Sequence, residues 1–461
     1  MKKHYDVIIV GAGPAGIFAA LEMVYADKGL KILLIEKGKN IDKRICPTKD
    51  EKVSCRTCPV CNLLCGWGGA GAFSDGKLNL SKDIGGNLSR YMDDTTLQEL
   101  ITYTDEIYQR YGAPADTYGT DTGRVNELRD LAAKNGLVLI PSQIRHIGTD
   151  RCPGLLKRIQ ADLDSKVDIA FSKDVTTVLV EDEKVIGVET KDGSVIYGDF
   201  VILAPGREGS LWLEEQARSM GLSLLKNPVD IGVRVEIPAA VFEPLTSVIY
   251  EPKLIFNSKK FNDRVRTFCV NPYGEIVREY VKGVWTVNGH SYSDRKTLNT
   301  NFAILVSTNF TEPFDEPHLY GRYIARLANL LGNGIILQRL GDLQEGRRST
   351  HARIARGRVK PTLKNAVPGD LSFVLPYRYI MNILEMIRAI DKIAPGMNSR
   401  HTLLYGVEVK FYSRQLTLDN HLETEIKNLF TVGDGAGVSR GLIQASVSGV
   451  IAAREILNRV N

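Results

Sequence analysis

Residues 6–16 read Asp-Val-Ile-Ile-Val-Gly-Ala-Gly-Pro-Ala-Gly, an apolar run that closes on Gly11, Gly13 and Gly16. Ile17, Leu21 and Val24 then recur at helical spacing. Strand, glycine turn and helix in this order make a dinucleotide-binding unit. Gly11 permits the turn, Gly13 lets the backbone approach a pyrophosphate, and Gly16 lets the helix lie close to the strand. Pro14 and Ala15 open the helix, whose N-terminus favours the phosphate charge. Lys31 to Ile35 reads as the second strand, and Glu36 ends it about 20 residues further on, the place of a ribose acceptor. Lys37, next to it, is counted with the cofactor site.

Two later segments decide which dinucleotide. Asp168 to Ala204 consists of short β-branched runs broken at Glu181 to Lys184 and at Asp192-Gly193, the pattern of a three-stranded meander. It ends in the buried strand Phe200 to Ala204, closed by Pro205-Gly206. Far downstream, Thr431-Val432-Gly433-Asp434-Gly435-Ala436-Gly437 precedes a long helix from Leu442 to Leu457. This last stretch resembles the C-terminal FAD motif of two-domain flavoproteins of the glutathione reductase type, and Val201 to Gly206 resembles the strand and turn after their meander. The resemblance implies FAD as cofactor and Asp434 as ligand of its ribityl chain. It further implies contacts from Gly433, Gly441, Leu442, Ile443, Val175, Ala204, Pro205 and Gly206. A helix N-terminus at Leu442 suits the negative charge of a reduced flavin around N1 and the C2 oxygen.

Cys65-Gly66-Trp67-Gly68-Gly69-Ala70-Gly71-Ala72-Phe73-Ser74-Asp75-Gly76-Lys77 is similar to the signature of a bacterial group of FAD-dependent dehydrogenases of undefined substrate, as is Arg145-His146-Ile147-Gly148-Thr149-Asp150. That resemblance implies that Gly68, Gly69, Ala70 and Gly71 run along the flavin ring, where missing side chains allow close backbone approach. No second strand, G-x-G-x-x-G and helix follows, so a dedicated NAD(P)H domain is not visible. The electron partner is therefore open between NAD(P)H and a ferredoxin-type protein.

Five of the seven cysteines, Cys46, Cys55, Cys58, Cys61 and Cys65, crowd one short stretch. The spacing C-x2-C-x2-C-x3-C from Cys55 to Cys65 is that of an iron–sulfur ligand run. Soft thiolates suit a 4Fe–4S cluster first and zinc second, with a disulfide or redox thiol as the third reading. The expected ligands are Cys55, Cys58 and Cys61 with either Cys46, which a proline follows, or Cys65. Next to the glycine loop, such a cluster could pass single electrons to the flavin. Cys152 and Cys269 read as packed thiols.

A chain of 461 residues exceeds one ordinary core, so two domains are expected. The expected fold is α/β: a discontinuous Rossmann-type FAD-binding domain with a β-meander, residues 1–224 and 401–461, and an inserted α+β substrate domain, 225–400. The Cys-rich insertion is 46–65. A net charge of +5 is too small at this length to argue for nucleic acid or a membrane. Asp6 interrupts the N-terminal apolar run, no cleavage site follows, and Val7 to Leu21 is too short to span a bilayer, so a cytoplasmic location is expected.

Arg347, Arg348, Arg353, Arg356, Arg358, Lys360 and Lys364 form a basic run without acids. It reads either as a solvated, helix-end face or as an anion site, and without interleaved aromatics a small anion is favoured over RNA. His146, Asp75, Lys77, Arg347, Arg348 and His351 are the candidate catalytic groups. The expected activity is FAD-dependent dehydrogenation or reduction of a small molecule. A flavin-dependent RNA-modifying enzyme and a non-catalytic redox sensor or electron carrier are the alternatives.

Overall fold

The computed structural model describes residues 4–46, 58–225, 228–281, 283–292, 295–308, 310, 313–314 and 316–460. Cys55 lies outside them. Two compact units emerge, one of Met1–Ala115, Arg145–Asn227 and Tyr412–Asn461, the other of Asp116–Ile144 and Pro228–Phe411.

In the first unit, His4–Val10 is buried on both faces, as a parallel strand between neighbours must be. It pairs in parallel with Ile32–Glu36 and with Val195–Leu203, and Leu429–Thr431 pairs in parallel with Val195–Leu203. The registers Val10 to Ile35, Val10 to Leu203 and Leu203 to Thr431 bring the carboxyl ends of these four strands level. Asp168–Phe171 joins this parallel sheet beside Ile32–Glu36, so the meander begins later than the sequence suggests. It consists of Val175–Glu181, Lys184–Thr190 and Val195–Leu203, all antiparallel. The helices Pro14–Ala26 and Leu442–Arg459 pack closely because Gly449 has no side chain: a Cβ there would lie 2.0 Å from the Ala15 carbonyl oxygen.

The second unit is built on an eight-stranded sheet whose central members are Leu403–Phe411, Val229–Pro238 and Asn299–Thr308, all antiparallel. Period 2 is plain in Val229–Pro238. Val229, Ile231, Val233, Val235 and Ile237 enter the apolar core under the helix Tyr377–Asp391. Asp230, Arg234 and Glu236 occupy the other face, and Arg234 and Glu408 form an ion pair at 3.1 Å with neither side chain exposed.

The boundaries anticipated at 224/225 and 400/401 fall at 227/228 and 411/412, and residues 116–144 go with the second unit. Val138–Ile140 is the reason, since it adds to the edge strand Lys253–Asn257, with Leu139 opposite Leu254. A three-residue edge strand far from its sheet in sequence leaves no periodic trace.

Candidate functional site

Loops leaving the level carboxyl ends of a parallel sheet are where α/β folds bind ligands. Gly11 sits there at φ +108°, and a Cβ would lie 2.2 Å from the Ala204 carbonyl oxygen, so only glycine fits between the two strand ends. At Gly16 a Cβ would meet the Gly11 carbonyl oxygen at 2.0 Å, whereas at Gly13 it would meet nothing within 4 Å. The two outer glycines, Gly11 and Gly16, serve packing, and the middle one, Gly13, faces open space. No side chain caps the helix Pro14–Ala26, whose first turn has only the Ile17 N–H bonded to the Gly13 carbonyl at 3.0 Å. Its orphan N–H groups are therefore available to an anion.

Glu36 is buried, and its carboxylate gathers three backbone N–H groups. Ala12 donates to Oε2 at 2.8 Å, and Gly38 and Gly66 donate to Oε1 at 2.7 and 2.9 Å. It thereby ties the dinucleotide turn to the start of the 66–71 loop. Gly68 N–H also donates to the Ala12 carbonyl at 2.7 Å. A Cβ at Gly69 would approach Gly13 Cα to 3.2 Å, and one at Gly71 would meet Leu442 Cδ2 at 2.7 Å and Pro14 Cγ at 3.7 Å. Gly71 thus lies between the first residues of two helices, and Ala70 sits within the same short 3-10 turn, Gly69–Phe73.

The helix Leu442–Arg459 is likewise uncapped by any side chain, with Gly441 extended before it. The preceding turn is tied down from within, because Gly433 N–H donates to Ser448 Oγ at 3.0 Å and Ser439 Oγ donates to Asp434 Oδ1 at 2.7 Å. Pro205 and Gly206 back it, since a Cβ on Gly435 would fall 2.6 Å from the Gly206 carbonyl oxygen. Val175 opens the meander, buried in the first unit's core.

The candidate catalytic groups separate into two sets. Asp75, Lys77 and His146 converge in the first unit immediately after the glycine loop. Lys77 Nζ and Asp75 Oδ2 are 2.8 Å apart and largely buried, and Ile147 and Gly148 donate their N–H groups to the Gly76 and Asp75 carbonyls. Burial lowers the His146 pKa to about 4, with Asp75 acting in the opposite sense and Lys77 in the same one. Arg347, Arg348 and His351 lie in the second unit. There the basic run does structural work: Arg347 pairs with Asp342 at 3.0 Å, and the side chains of Arg353, Arg356 and Lys360 donate to the carbonyls of Arg348, Ala352 and Ala355 around the short helix His351–Ala355.

Of the cysteine run, Cys58 is exposed, Cys46 and Cys61 are half-buried and Cys65 is buried. Cys61 and Cys65 belong to one turn, with the Cys65 N–H bonded to the Cys61 carbonyl at 2.8 Å. Burial pushes the Cys65 thiol up to about 11, and the Cys61 thiol up as well. Among the described residues, no group of three or more His, Cys, Asp or Glu is arranged to hold a metal ion.

One residue escaped the sequence reading. Arg44 is buried and donates to the carbonyls of Asn62, Leu63 and Trp67 at 2.9, 2.9 and 2.5 Å, folding the cysteine turn against the glycine loop. Burial lowers its pKa to about 10. Its acceptors are 18 to 23 positions downstream, so no local pattern marks it.

The family model for the FAD binding domain matches residues 6–44, and the model described as FAD-dependent protein, C-terminal domain-like, matches residues 228–411. A Clostridium beijerinckii relative described as an uncharacterized protein is 28% identical over 98% of this chain and 80% of its own length. A digeranylgeranylglycerophospholipid reductase of Methanosarcina mazei is 56% identical, but over only 9% of this chain and 10% of its own. Among solved structures, the 3-ketosteroid-delta4-(5alpha)-dehydrogenase of Rhodococcus jostii aligns with a TM-score of 0.45 at 13% identity, over 98% of this chain and 97% of that one. A likeness at that level does not bear on activity.

Fold and site define the class, a flavoprotein with a Rossmann-type FAD-binding domain. The chain carries an FAD-binding domain, and the segment of its second unit from 228 to 411 matches the model of FAD-dependent proteins.

Proposed function

We propose that this chain is a dehydrogenase or reductase acting on a small molecule, with FAD held between the uncapped helix N-termini at Pro14 and Leu442. The observation carrying this reading is the placement of Gly71 between those two residues, at the carboxyl ends of the parallel strands. The cradle fits the cofactor: Gly13 is open where a pyrophosphate needs room, and two helix ends offer unpaired N–H groups. FAD, when bound, supplies two-electron hydride exchange. The Ala15 and Gly16 N–H groups receive the pyrophosphate. Glu36 Oε2 takes one backbone N–H and retains a lone pair for a ribose hydroxyl. Asp434 accepts from the ribityl chain, and the N–H groups of Leu442 and Ile443 face the charge a reduced flavin carries.

The proton that accompanies hydride transfer falls to Asp75, Lys77 and His146. The imidazole, neutral at pH 7 because of burial, is the acceptor, and Asp75 favours its charged form. The metal reading belongs here too: Cys55, Cys58 and Cys61, with Cys46 or Cys65, would hold a 4Fe–4S cluster that feeds electrons from a ferredoxin-type partner. Its support is the spacing of the run and the buried Arg44 that shapes the Cys61–Trp67 turn. Iron and acid-labile sulfide analysis on protein purified without oxygen tests it. About four irons per chain supports the cluster. Flavin without iron removes it and makes NAD(P)H the first reductant to examine.

A further inference from the structure

In the second unit the end of the strand Ile336–Arg339 runs beside the segment that leads into Leu403–Phe411. Arg339 lies opposite Leu403, Leu340 N–H donates to the Thr402 carbonyl at 2.8 Å, and a Cβ on Gly341 would fall 2.6 Å from the Arg400 Cβ. Arg339 and the pair Arg400-His401 are thereby neighbours. Arg358 follows the short helix His351–Ala355 and is exposed. Burial, and then the guanidinium charges of Arg339, Arg358 and Arg400, lower the His401 pKa, so all three arginines reach one imidazole. Two groups of this cluster are buried without a hydrogen-bond partner, the Arg339 Nε and the His401 Nδ1, and Arg339 is only 7% exposed. The contacts that Arg339 does make are long: Nη1 donates to the Arg353 carbonyl at 3.4 Å and stands 3.9 Å from Asp342 Oδ2. A buried guanidinium donor without an acceptor is costly, and an anion would satisfy it.

The carboxylates nearby are already engaged. From 339 to 370 the sequence holds eight Lys or Arg and three Asp or Glu. Asp342 takes Arg347 at 3.0 Å and Ser349 Oγ at 2.8 Å, Glu345 pairs with Arg347 and, at 2.9 Å, with Arg400, and Asp370 accepts from Ser372 and Gln338. Asp391, ahead of Arg400, accepts the N–H groups of Gly396 and Asn398. Among the described residues no carboxylate pairs with Arg358. Surplus positive charge around a buried, incompletely bonded guanidinium suits a phosphate or carboxylate, which such a fork binds through two oxygens. The neutral imidazole of His401, with its proton on Nδ1, supplies a further donor. From 339 to 370 there is no Phe, Tyr or Trp on which a nucleic-acid base could stack, so the chemistry favours a small anion. We infer that Arg339, Arg358, Arg400 and His401 form an oxyanion site that takes the phosphate or carboxylate group of a small molecule. The site belongs to the second unit alone, and the inference is independent of the flavin reading.

Calorimetric titration of the FAD-loaded protein with inorganic phosphate and, separately, with succinate tests it, at an ionic strength held constant with sodium chloride. At least one probe is expected to bind with a Kd on the order of 1 mM or tighter, and the tighter one names the group. Arg358→Gln, at an exposed position, is expected to keep the melting temperature of the free protein and to weaken that binding about tenfold. Lys364→Gln removes the same charge from another exposed position of the run and is expected to leave binding within about twofold of wild type. Arg339→Lys keeps the charge but loses the Nε–H, and a loss of about tenfold is expected there too. Neither probe binding with a Kd below about 10 mM, or equal losses from Arg358→Gln and Lys364→Gln, overturns the proposal. So does a single-stranded RNA that binds more tightly than either probe and is weakened equally by both exposed substitutions, an outcome that gives the run to a diffuse polyanion surface.

Discussion

Glu36→Gln changes one oxygen to a nitrogen at the point where three segments meet. The carboxylate receives Ala12 N–H on one oxygen and Gly38 and Gly66 N–H on the other, at 2.7 to 2.9 Å. A glutamine of the same shape keeps its carbonyl toward Gly38 and Gly66 and turns its amide NH2 toward Ala12, leaving two donors face to face. An unsatisfied buried N–H costs about 1–3 kcal/mol, and exchanging a charged acceptor for a neutral one weakens each of the other two bonds by about 1 kcal/mol. The sum, roughly 3–5 kcal/mol, falls on the turn that receives the pyrophosphate. We expect the first thermal transition to drop by roughly 5–15 °C and most of the flavin to be lost on gel filtration. Calorimetry and the ratio of flavin to protein absorbance read both effects. A variant melting within about 2 °C of wild type with full flavin would refute the role given to this carboxylate.

Folded His146 has a pKa near 4 against an ordinary 6.5. Above pH 6.5 neither folded nor unfolded chain is protonated there. Below it the unfolded chain takes up a proton that the buried ring refuses, so stability is lost as pH falls from about 6.5 to about 4. His146→Asn is expected to flatten the part of the melting-temperature profile lying in that window; an unchanged profile would show that the ring is not buried as described. In the second unit, Glu408→Ala leaves Arg234 as an uncompensated buried cation and is expected to cost about 3–5 kcal/mol in denaturant unfolding of that unit. A loss under about 1 kcal/mol would mean that Asn301, Asn271 and the Cys269 carbonyl, which Arg234 also reaches, suffice to hold it.

The nucleotide site was legible because its constraints are local. Gly16 is required by the Gly11 carbonyl oxygen one turn away, and the spacing to Glu36 follows from one βαβ unit, while the Ala204 carbonyl that confines Gly11 comes from the end of the neighbouring strand. The same holds for the turn before Leu442, where strand, glycines and helix adjoin in sequence. Legibility ended where chemistry depends on tertiary approach. Asp75, Lys77 and His146 were named among six candidates, yet nothing in the chain says that His146 folds back onto the end of the glycine loop while Arg347 and His351 go to another unit. The basic run illustrates the converse: charge that reads either as a solvated helix-end face or as an anion site is used, at Arg347, Arg353, Arg356 and Lys360, to hold Asp342 and carbonyls. Residues 116–144 went astray because a short edge strand borrows its partner from a distant segment.

The flavin itself provides the most direct test. Heat-released cofactor from the purified chain, identified by chromatography and quantified against protein, is predicted to be FAD at one per chain. FMN in its place, or no flavin retained and none taken up on incubation with FAD, would contradict the site built from Gly13, Glu36, Gly71, Asp434 and the N-terminus at Leu442.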